Sequence, residues 1–207
     1  MDGAGPGRRR RAGRRDAAAR RAPAQGHPRA AQGPARRWPV TQQIPRGAAD
    51  ALSTRYGLDV AEPVHALLQE CELVSLRDGE LLCEEGRPSD GLYLLLDGAV
   101  SVLKKDARLE DRALAVAQAP AVLGHMGLVG GGKRTASLAS RGGVTVARLD
   151  ATAFDRLMNH DGEAGDALRR VVLAAMLDQQ RRAMTDLVRM LQPGADRYPD
   201  DATGWGV

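Results

Sequence analysis

The residues with the clearest chemical potential lie in a glycine-rich stretch at residues 122–137, VLGHMGLVGGGKRTAS. Glycine lets backbone N–H groups approach an anion closely, and the first turn of a helix presents unpaired N–H donors. Gly124 and Gly127 flank a predicted short helical turn. Arg134 can clamp a phosphate through two parallel hydrogen bonds, and Thr135 adds a hydroxyl. The stretch predicts a phosphate-binding loop, and a hairpin connection with a surface charge is the alternative.

Other familiar chemistries find no matching motif in the sequence. The Walker pattern GxxxxGK[ST] is absent, and no βαβ unit surrounds the glycines as a dinucleotide fingerprint requires. His65 and His160 lack metal-ligand spacing with each other or with the two cysteines, Cys71 and Cys83. No grouping of Ser, His and acid stands out. We therefore expect no metal and no enzyme, and we expect both cysteines to be reduced and buried.

The segments around the loop predict a β-roll. Short runs rich in Leu and Val are separated by turn residues about every 8 to 12 positions, with no helices between them. The expected fold class is mainly β with flanking helices: a double-stranded β-helix jelly roll of about seven or eight strands, plus a long C-terminal helix. The runs lie at residues 71–82, 91–97, 99–104, 112–117, 135–139 and 144–149, with hairpin corners at Asp78-Gly79, Gly86, Asp90-Gly91 and Asp97-Gly98.

Helical patterns flank the roll on both sides. Residues 48–71 predict two helical pieces, broken near Gly57 and Pro63. After the roll, Asp150 is a plausible N-cap for a short helix that buries Phe154 and Leu157. We therefore expect the roll at about 72–150.

A long helix is predicted at about 163–191, ended by Pro193 and Gly194. Two apolar stripes on one helix indicate two partners. One stripe is expected to pack on the roll and the second on the same helix of a second subunit, and burial within one chain is the alternative. The first runs Leu168, Val172, Met176, Gln179, Ala183, Leu187, Met190, and the second Leu173, Leu177, Gln180, Met184, Val188, Leu191.

The charge distribution separates a basic tail from an acidic body. Residues 1–38 contain 11 Arg and two acids, a net charge of +9, so the overall +4 leaves −5 for the rest. We expect residues 1–47 to be a disordered basic tail, 48–192 one domain and 193–207 a loose end. One interpretation of the tail is an arm that binds the phosphates of nucleic acid or of an anionic membrane. The alternatives are a solvated extension and a start codon assigned too early.

The sequence predicts no membrane span and a cytoplasmic location. The longest apolar run, residues 171–177, is far shorter than the roughly 20 residues that span a bilayer. The arginines of the tail are not followed by the apolar stretch of a secretory signal.

From about residue 64 to 191 the order of elements resembles the cyclic nucleotide-binding domain family, which includes the bacterial catabolite activator protein. Residues 89–98, SDGLYLLLDG, are similar to the family's hairpin signature. Gly-x-x-Gly-Leu from Gly124 and the Arg-Thr-Ala that begins at Arg134 resemble its phosphate-binding cassette. The short helix after Asp150 and the long helix complete the likeness.

The resemblance implies roles for individual residues. Arg134 would bind the cyclic phosphate, Thr135 would support it, and Gly124, Met126 and Gly127 would lie in the amide turn. The Arg-Thr-Ala sequence also resembles the cassette of family members that accept cyclic GMP, in which the Thr hydroxyl can reach the guanine amino group. His125 replaces the glutamate that binds the ribose, and Ala119 and Pro120 replace a Gly-acid pair ahead of the cassette.

Two functions remain open on this basis. The first is a non-enzymatic sensor in which cyclic AMP or cyclic GMP moves the long helix of a homodimer. About 16 residues follow Leu191, too few for the helix-turn-helix domain of the related transcription factors, so the output is an unidentified protein partner or the basic tail. The second is a degenerate roll that binds no nucleotide and acts as a dimeric interaction scaffold, which His125 favours.

Overall fold

The computed structural model describes residues 44–106 and 111–191, and the predicted mainly β fold with flanking helices is confirmed. In chain order the elements are α1 (Ala48–Tyr56), α2 (Glu62–Gln69), β1 (Glu72–Leu76), β2 (Leu81–Cys83), β3 (Gly91–Lys105), β4 (Asp111–Gln118), β5 (Ala121–Leu123), α3 (His125–Val129), β6 (Ser137–Asp150), α4 (Ala151–Asn159) and α5 (Glu163–Leu191). All strand pairs are antiparallel, in the order β1-β6-β3-β4, with β2 also on β6 and β5 also on β3. Two long strands, β3 and β6, therefore organise the roll.

The expectation of seven or eight short strands is wrong, because β3 and β6 each run through two of the predicted segments. The register of β3 against β6 is irregular around Asp97. Gly98 has a φ of 85°, and a Cβ there would overlap the carbonyl of Gly143 in β6. Gly98 thus lets two bent strands cross closely where a hairpin corner was expected.

The other expected hairpin corners need the same correction. Asp78 and Gly79 form a turn, but the strands on either side pair with β6 and not with each other. Gly86 lies in a turn between β2 and β3, which are likewise not paired. Asp90 directly precedes β3 and Gly91 is its first residue, so these two residues do not form a hairpin turn.

Alternate side chains of the central strands serve two cores. Leu92 and Leu94 of β3 face a cluster formed with the helices, whereas Tyr93 and Leu95 face the interior of the roll. This two-residue alternation follows from the pleat of a strand. The helical cluster includes Leu52, Leu67, Phe154, Leu168 and Val172, so the first half of α5 is anchored on α2, α4 and the sheet.

The helix signals that lie within residues 44–106 and 111–191 are confirmed. Asp150 caps α4, since its Oδ1 accepts a hydrogen bond from the Ala153 N–H at 2.8 Å. Gly57 ends α1 in the left-handed conformation, and Pro63 lies at the start of α2. Phe154 and Leu157 are both buried.

The two apolar stripes of α5 differ in what covers them. Of the first stripe, Leu168 and Val172 are buried, whereas Leu187 and Met190 are exposed. The apolar residues of the second stripe are exposed throughout: Leu173, Leu177, Met184, Val188 and Leu191. The expected stripe for a partner is therefore uncovered in this chain.

Some predictions fall outside the described residues. The basic tail lies outside them up to residue 43, as does the end of the chain from residue 192. Across the ranges that are described, no helix is long and apolar enough to cross a membrane.

Candidate functional site

A cavity of about 490 Å³ lies between the roll and the second half of α5. Its walls come from β4, β5, the start of α3, the segment before β6, and single faces of α1 and α5. Small-molecule sites typically have volumes of about 300–1,000 Å³. The structure brings all six predicted site residues to this cavity: Gly124, His125, Met126, Gly127, Arg134 and Thr135.

The two cassette glycines are required by close packing. Gly124 precedes α3 with a φ of 77°, a left-handed conformation that glycine adopts without strain. A Cβ at Gly124 would overlap the guanidinium of Arg134, and a Cβ at Gly127 would overlap the hydroxyl of Ser89. The first turn of α3 leaves N–H groups without intrahelical partners. The glycines thus bring these donors and Arg134 together.

Arg134 is a buried cation on the cavity wall. Its side chain is only 2% exposed. Nη1 donates to the Gly124 carbonyl at 3.2 Å, and Nη2 donates to Asp90 Oδ1 at 2.7 Å and to the Tyr93 hydroxyl at 3.3 Å. The guanidinium carbon lies 5.0 Å from the centre of the Tyr93 ring. Nε is enclosed by protein and has no hydrogen-bond partner.

Asp90 positions Arg134 through a hydrogen-bonded ion pair. Its other oxygen, Oδ2, lies 3.3 Å from Nη2 of Arg148, so one carboxylate serves two guanidinium groups. Burial tends to raise the pKa of Asp90, but the hydrogen bond and charge of Arg134, together with Arg148, outweigh burial and leave the pKa below its ordinary value. Arg148 is also 3.8 Å from Glu72, so two carboxylates balance the two guanidinium groups of this cluster.

His125 is buried against the cavity, beside the Gln179 side chain and the Val122 backbone. It is 6% exposed, and neither Nδ1 nor Nε2 has a hydrogen-bond partner. Burial is the main cause that lowers its pKa, opposed by the nearby Gln179 side chain and the Val122 backbone. The imidazole is therefore neutral near pH 7.

The remaining predicted residues lie at the rim. Thr135 is exposed, and its carbonyl accepts a hydrogen bond from Lys104 Nζ at 2.9 Å. Met126 is exposed on α3. Of the glutamines noted on the long helix, Gln179 lines the cavity and Gln180 does not line it.

Cysteine and metal chemistry find no support within residues 44–106 and 111–191. Cys71 and Cys83 are both free and partly buried. Burial raises the pKa of the Cys83 thiol to about 11, so it is not an activated nucleophile. In these same ranges, no cluster of three or more His, Cys, Asp or Glu is arranged to hold a metal ion.

Sequence reasoning missed the contributions of α1 and of the charged residues on α5. Arg55 and Tyr56 from α1 and Asp178 and Arg182 from α5 all line the cavity. Arg55 is 123 positions from its partner Asp178, and Tyr56 is 66 positions from its partner Val122. No local pattern announces such contacts, because only the packing of α1 across the roll creates them.

Gly124 offers a sharp test of the cassette geometry. We expect Gly124→Ala to weaken ligand binding at least tenfold, because its Cβ displaces the guanidinium of Arg134. The left-handed backbone adds a stability cost of about 1–2 kcal/mol. Gly142→Ala is the matched control, since Gly142 has a φ of 78° with nothing within 4 Å. Thermal melts should show lower stability in both variants. Equal ligand affinity in both variants would contradict the role of Gly124.

The comparisons with known proteins point in one direction. Residues 73–161 match the family model described as "Cyclic nucleotide-binding domain". The cAMP-dependent protein kinase type II regulatory subunit of Drosophila melanogaster is 33% identical over 120 residues, which are 52% of this chain and 30% of that protein. This chain therefore spans less than a third of that relative's length.

Solved structures share the fold. A cyclic nucleotide-binding domain from Methylobacillus flagellatus superposes with a TM-score of 0.61 at 21% identity, covering 72% of this chain and 86% of that one. The catabolite activator protein of Thermus thermophilus gives a TM-score of 0.56 at 19% identity, covering 65% and 61% respectively. These likenesses establish the architecture of the roll with its long helix.

Proposed function

We propose that this chain, whose residues 73–161 match the cyclic nucleotide-binding domain family model, is a non-catalytic sensor that holds a cyclic nucleotide between the roll and α5. The observation that carries the proposal is Arg134, an almost wholly buried guanidinium at the wall of a cavity of about 490 Å³. A phosphate matches such a donor in charge and geometry. The regulatory relative supports a role in signalling.

The residues around the cavity have complementary roles in this proposal. Arg134 binds the cyclic phosphate, while Gly124, Met126 and Gly127 present backbone amides to it. Apolar side chains of β4 and Met190 of α5 line the part of the cavity available to a purine. By resemblance to family members that accept cyclic GMP, we propose that the Thr135 hydroxyl at the rim would bind a guanine amino group if the ligand is cyclic GMP, and cyclic AMP is the other candidate.

The signal passes through α5 in this proposal. Its first half is anchored in the helical cluster, whereas Gln179, Ala183 and Met190 of the second half face the cavity. A ligand that fills the cavity contacts both the cassette and α5, so it favours one position of the helix over others. We propose residues 48–192 as the functional unit, a homodimer through α5, with an unidentified protein as the recipient of the signal.

Calorimetric titration of the whole chain with cyclic AMP and cyclic GMP tests this function. We expect a dissociation constant in the micromolar range or below for at least one of them. The linear nucleotide 5′-AMP is the control, because it lacks the cyclic phosphodiester. Absence of heat with both cyclic nucleotides, on protein that is folded by circular dichroism, would eliminate the sensor.

A second candidate, a dimeric scaffold that binds no nucleotide, is favoured by one observation. His125 occupies the position where the family places a ribose-binding glutamate, and a neutral imidazole offers a single acceptor where a carboxylate offers two oxygens. Its ring nitrogens are enclosed by protein. The scaffold predicts that ligands leave α5 unaffected.

Replacement of His125 distinguishes the two candidates. We expect His125→Glu to raise nucleotide affinity about two- to thirtyfold, because a charge-assisted hydrogen bond to the ribose contributes about 1.5–3 kcal/mol against about 1 for a neutral bond. His125→Gln, which adds no charge, is the matched control. If both variants are folded and neither they nor the parent binds nucleotide in calorimetry, the scaffold replaces the sensor.

The basic arm remains a separate prediction. Residues 1–38 carry a net charge of +9, which is the electrostatic signature of phosphate binding. Affinity for nucleic acid that falls steeply with salt, and is lost when residues 1–39 are deleted, would support that role.

A further inference from the structure

Helix α1 reaches the nucleotide cavity from outside the matched domain at residues 73–161. The hydroxyl of Tyr56 accepts a hydrogen bond from the N–H of Val122 at 2.8 Å. Val122 belongs to β5, which leads directly into Gly124 and the cassette. Tyr56 is partly buried, and burial is the main cause that raises its pKa, so the phenol is neutral. One end of α1 is therefore bonded to the strand that positions the cassette.

The neighbouring residue on α1 contacts the opposite wall. Nη2 of Arg55 lies 3.2 Å from Oδ2 of Asp178 on α5, and Nη2 of Arg182 lies 2.6 Å from the same oxygen. All three side chains are partly exposed and line the cavity together with Tyr56. Two consecutive residues thus connect the cassette strand to α5 across the site.

This connection lies where α5 has few other supports. The buried residues of α5 end at Ala175, so Asp178 is close to the point where the helix leaves the helical cluster and begins to border the cavity. Direct packing of α5 on β5 and on α1 is sparse compared with its packing on α2. A polar link at this position therefore has a large effect on where the second half of α5 lies.

We infer that Arg55 and Tyr56 form a clasp that holds the second half of α5 over the nucleotide cavity, and that α1 thereby belongs to the ligand-binding site as a positioning element. The inference rests on the proposed function for its effect on affinity. A helix already held at the cavity wall spares the ligand the cost of ordering it, so the clasp increases apparent affinity. The ligand class remains a cyclic nucleotide.

Two side-chain changes remove the clasp without removing bulk. Arg55→Gln breaks the ion pair, and Tyr56→Phe removes only the oxygen that accepts from Val122. We expect nucleotide affinity in calorimetry to fall about two- to fivefold for each variant and about tenfold for the double variant. Arg46→Gln, an exposed arginine just before α1, is the matched control and should bind as the parent does.

Hydrogen exchange of the ligand-free chain separates this inference from the proposed function. In the double variant we expect faster exchange of backbone amides at residues 178–191, with residues 163–172 unchanged, because only the second half of α5 depends on the clasp. This readout holds whether or not a nucleotide binds. Parental exchange at 178–191 would overturn the clasp, as would parental affinity in a double variant of a protein that binds nucleotide.

Discussion

Arg134→Ala is expected to abolish nucleotide binding at micromolar concentrations. Truncating one partner of a buried, hydrogen-bonded charge pair costs about 2–5 kcal/mol, which corresponds to a loss of affinity of about thirtyfold to several thousandfold. We expect the loss for Arg134 to lie at the high end, since its side chain is 2% exposed and lines the cavity. Calorimetry with cyclic AMP and cyclic GMP measures the effect.

Controls separate ligand recognition from folding. Arg134→Ala also leaves Asp90 with Arg148 as its remaining cation, so circular dichroism must show that the variant is folded. Arg134→Lys keeps the charge without the planar pair of donors, and we expect an intermediate loss. Arg141→Ala, on the exposed bend of β6, should bind normally. Parental affinity in folded Arg134→Ala would refute the cassette assignment.

Charge on the exposed face of α5 is expected to convert a dimer into a monomer. The positions 173, 177, 180, 184, 187 and 191 alternate steps of four and three residues, the heptad spacing of a coiled coil. Five of them are apolar and between 44% and 74% exposed: Leu173, Leu177, Met184, Leu187 and Leu191. An exposed apolar stripe of this length marks an interaction surface. We propose that the same helix of a second chain covers it.

The double variant Leu177→Asp, Met184→Asp tests this interface. Carboxylates desolvated at the centre of a helix seam cost several kcal/mol, so light scattering after size exclusion should report monomers. Thr185→Asp, one position off the seam, is the control and should remain a dimer. A parent that is monomeric at all accessible concentrations would show that the stripe serves something other than self-association.

Much of the architecture follows from local patterns in the sequence. The change from helical to two-residue periodicity predicts helices on both sides of a β-roll, because the direction of successive side chains depends only on the backbone conformation. Asp150 as an N-cap and Gly57 as a helix end are equally local, since each satisfies backbone groups within its own turn. These signals are confirmed.

Strand continuity was not predictable in the same way. A glycine after an aspartate has the same local signature whether the chain reverses or bends, and only the partner strand distinguishes the two cases. At Gly98 the deciding contact is with the carbonyl of Gly143, which lies 45 residues later in the chain. Long-range pairing therefore turned an expected corner into a bulge.

The site divides along the same line. The sequence by itself determined the local part: glycines and Arg134 within eleven residues predict a phosphate-binding cassette, and the structure brings these residues to one cavity. Tertiary structure alone decided the rest, namely that Asp90 holds Arg134, that Gln179 lies near His125, and that Tyr56 bonds to Val122. A short-range motif encodes the donors, whereas their partners are set by how the helices pack on the roll, which no local pattern records.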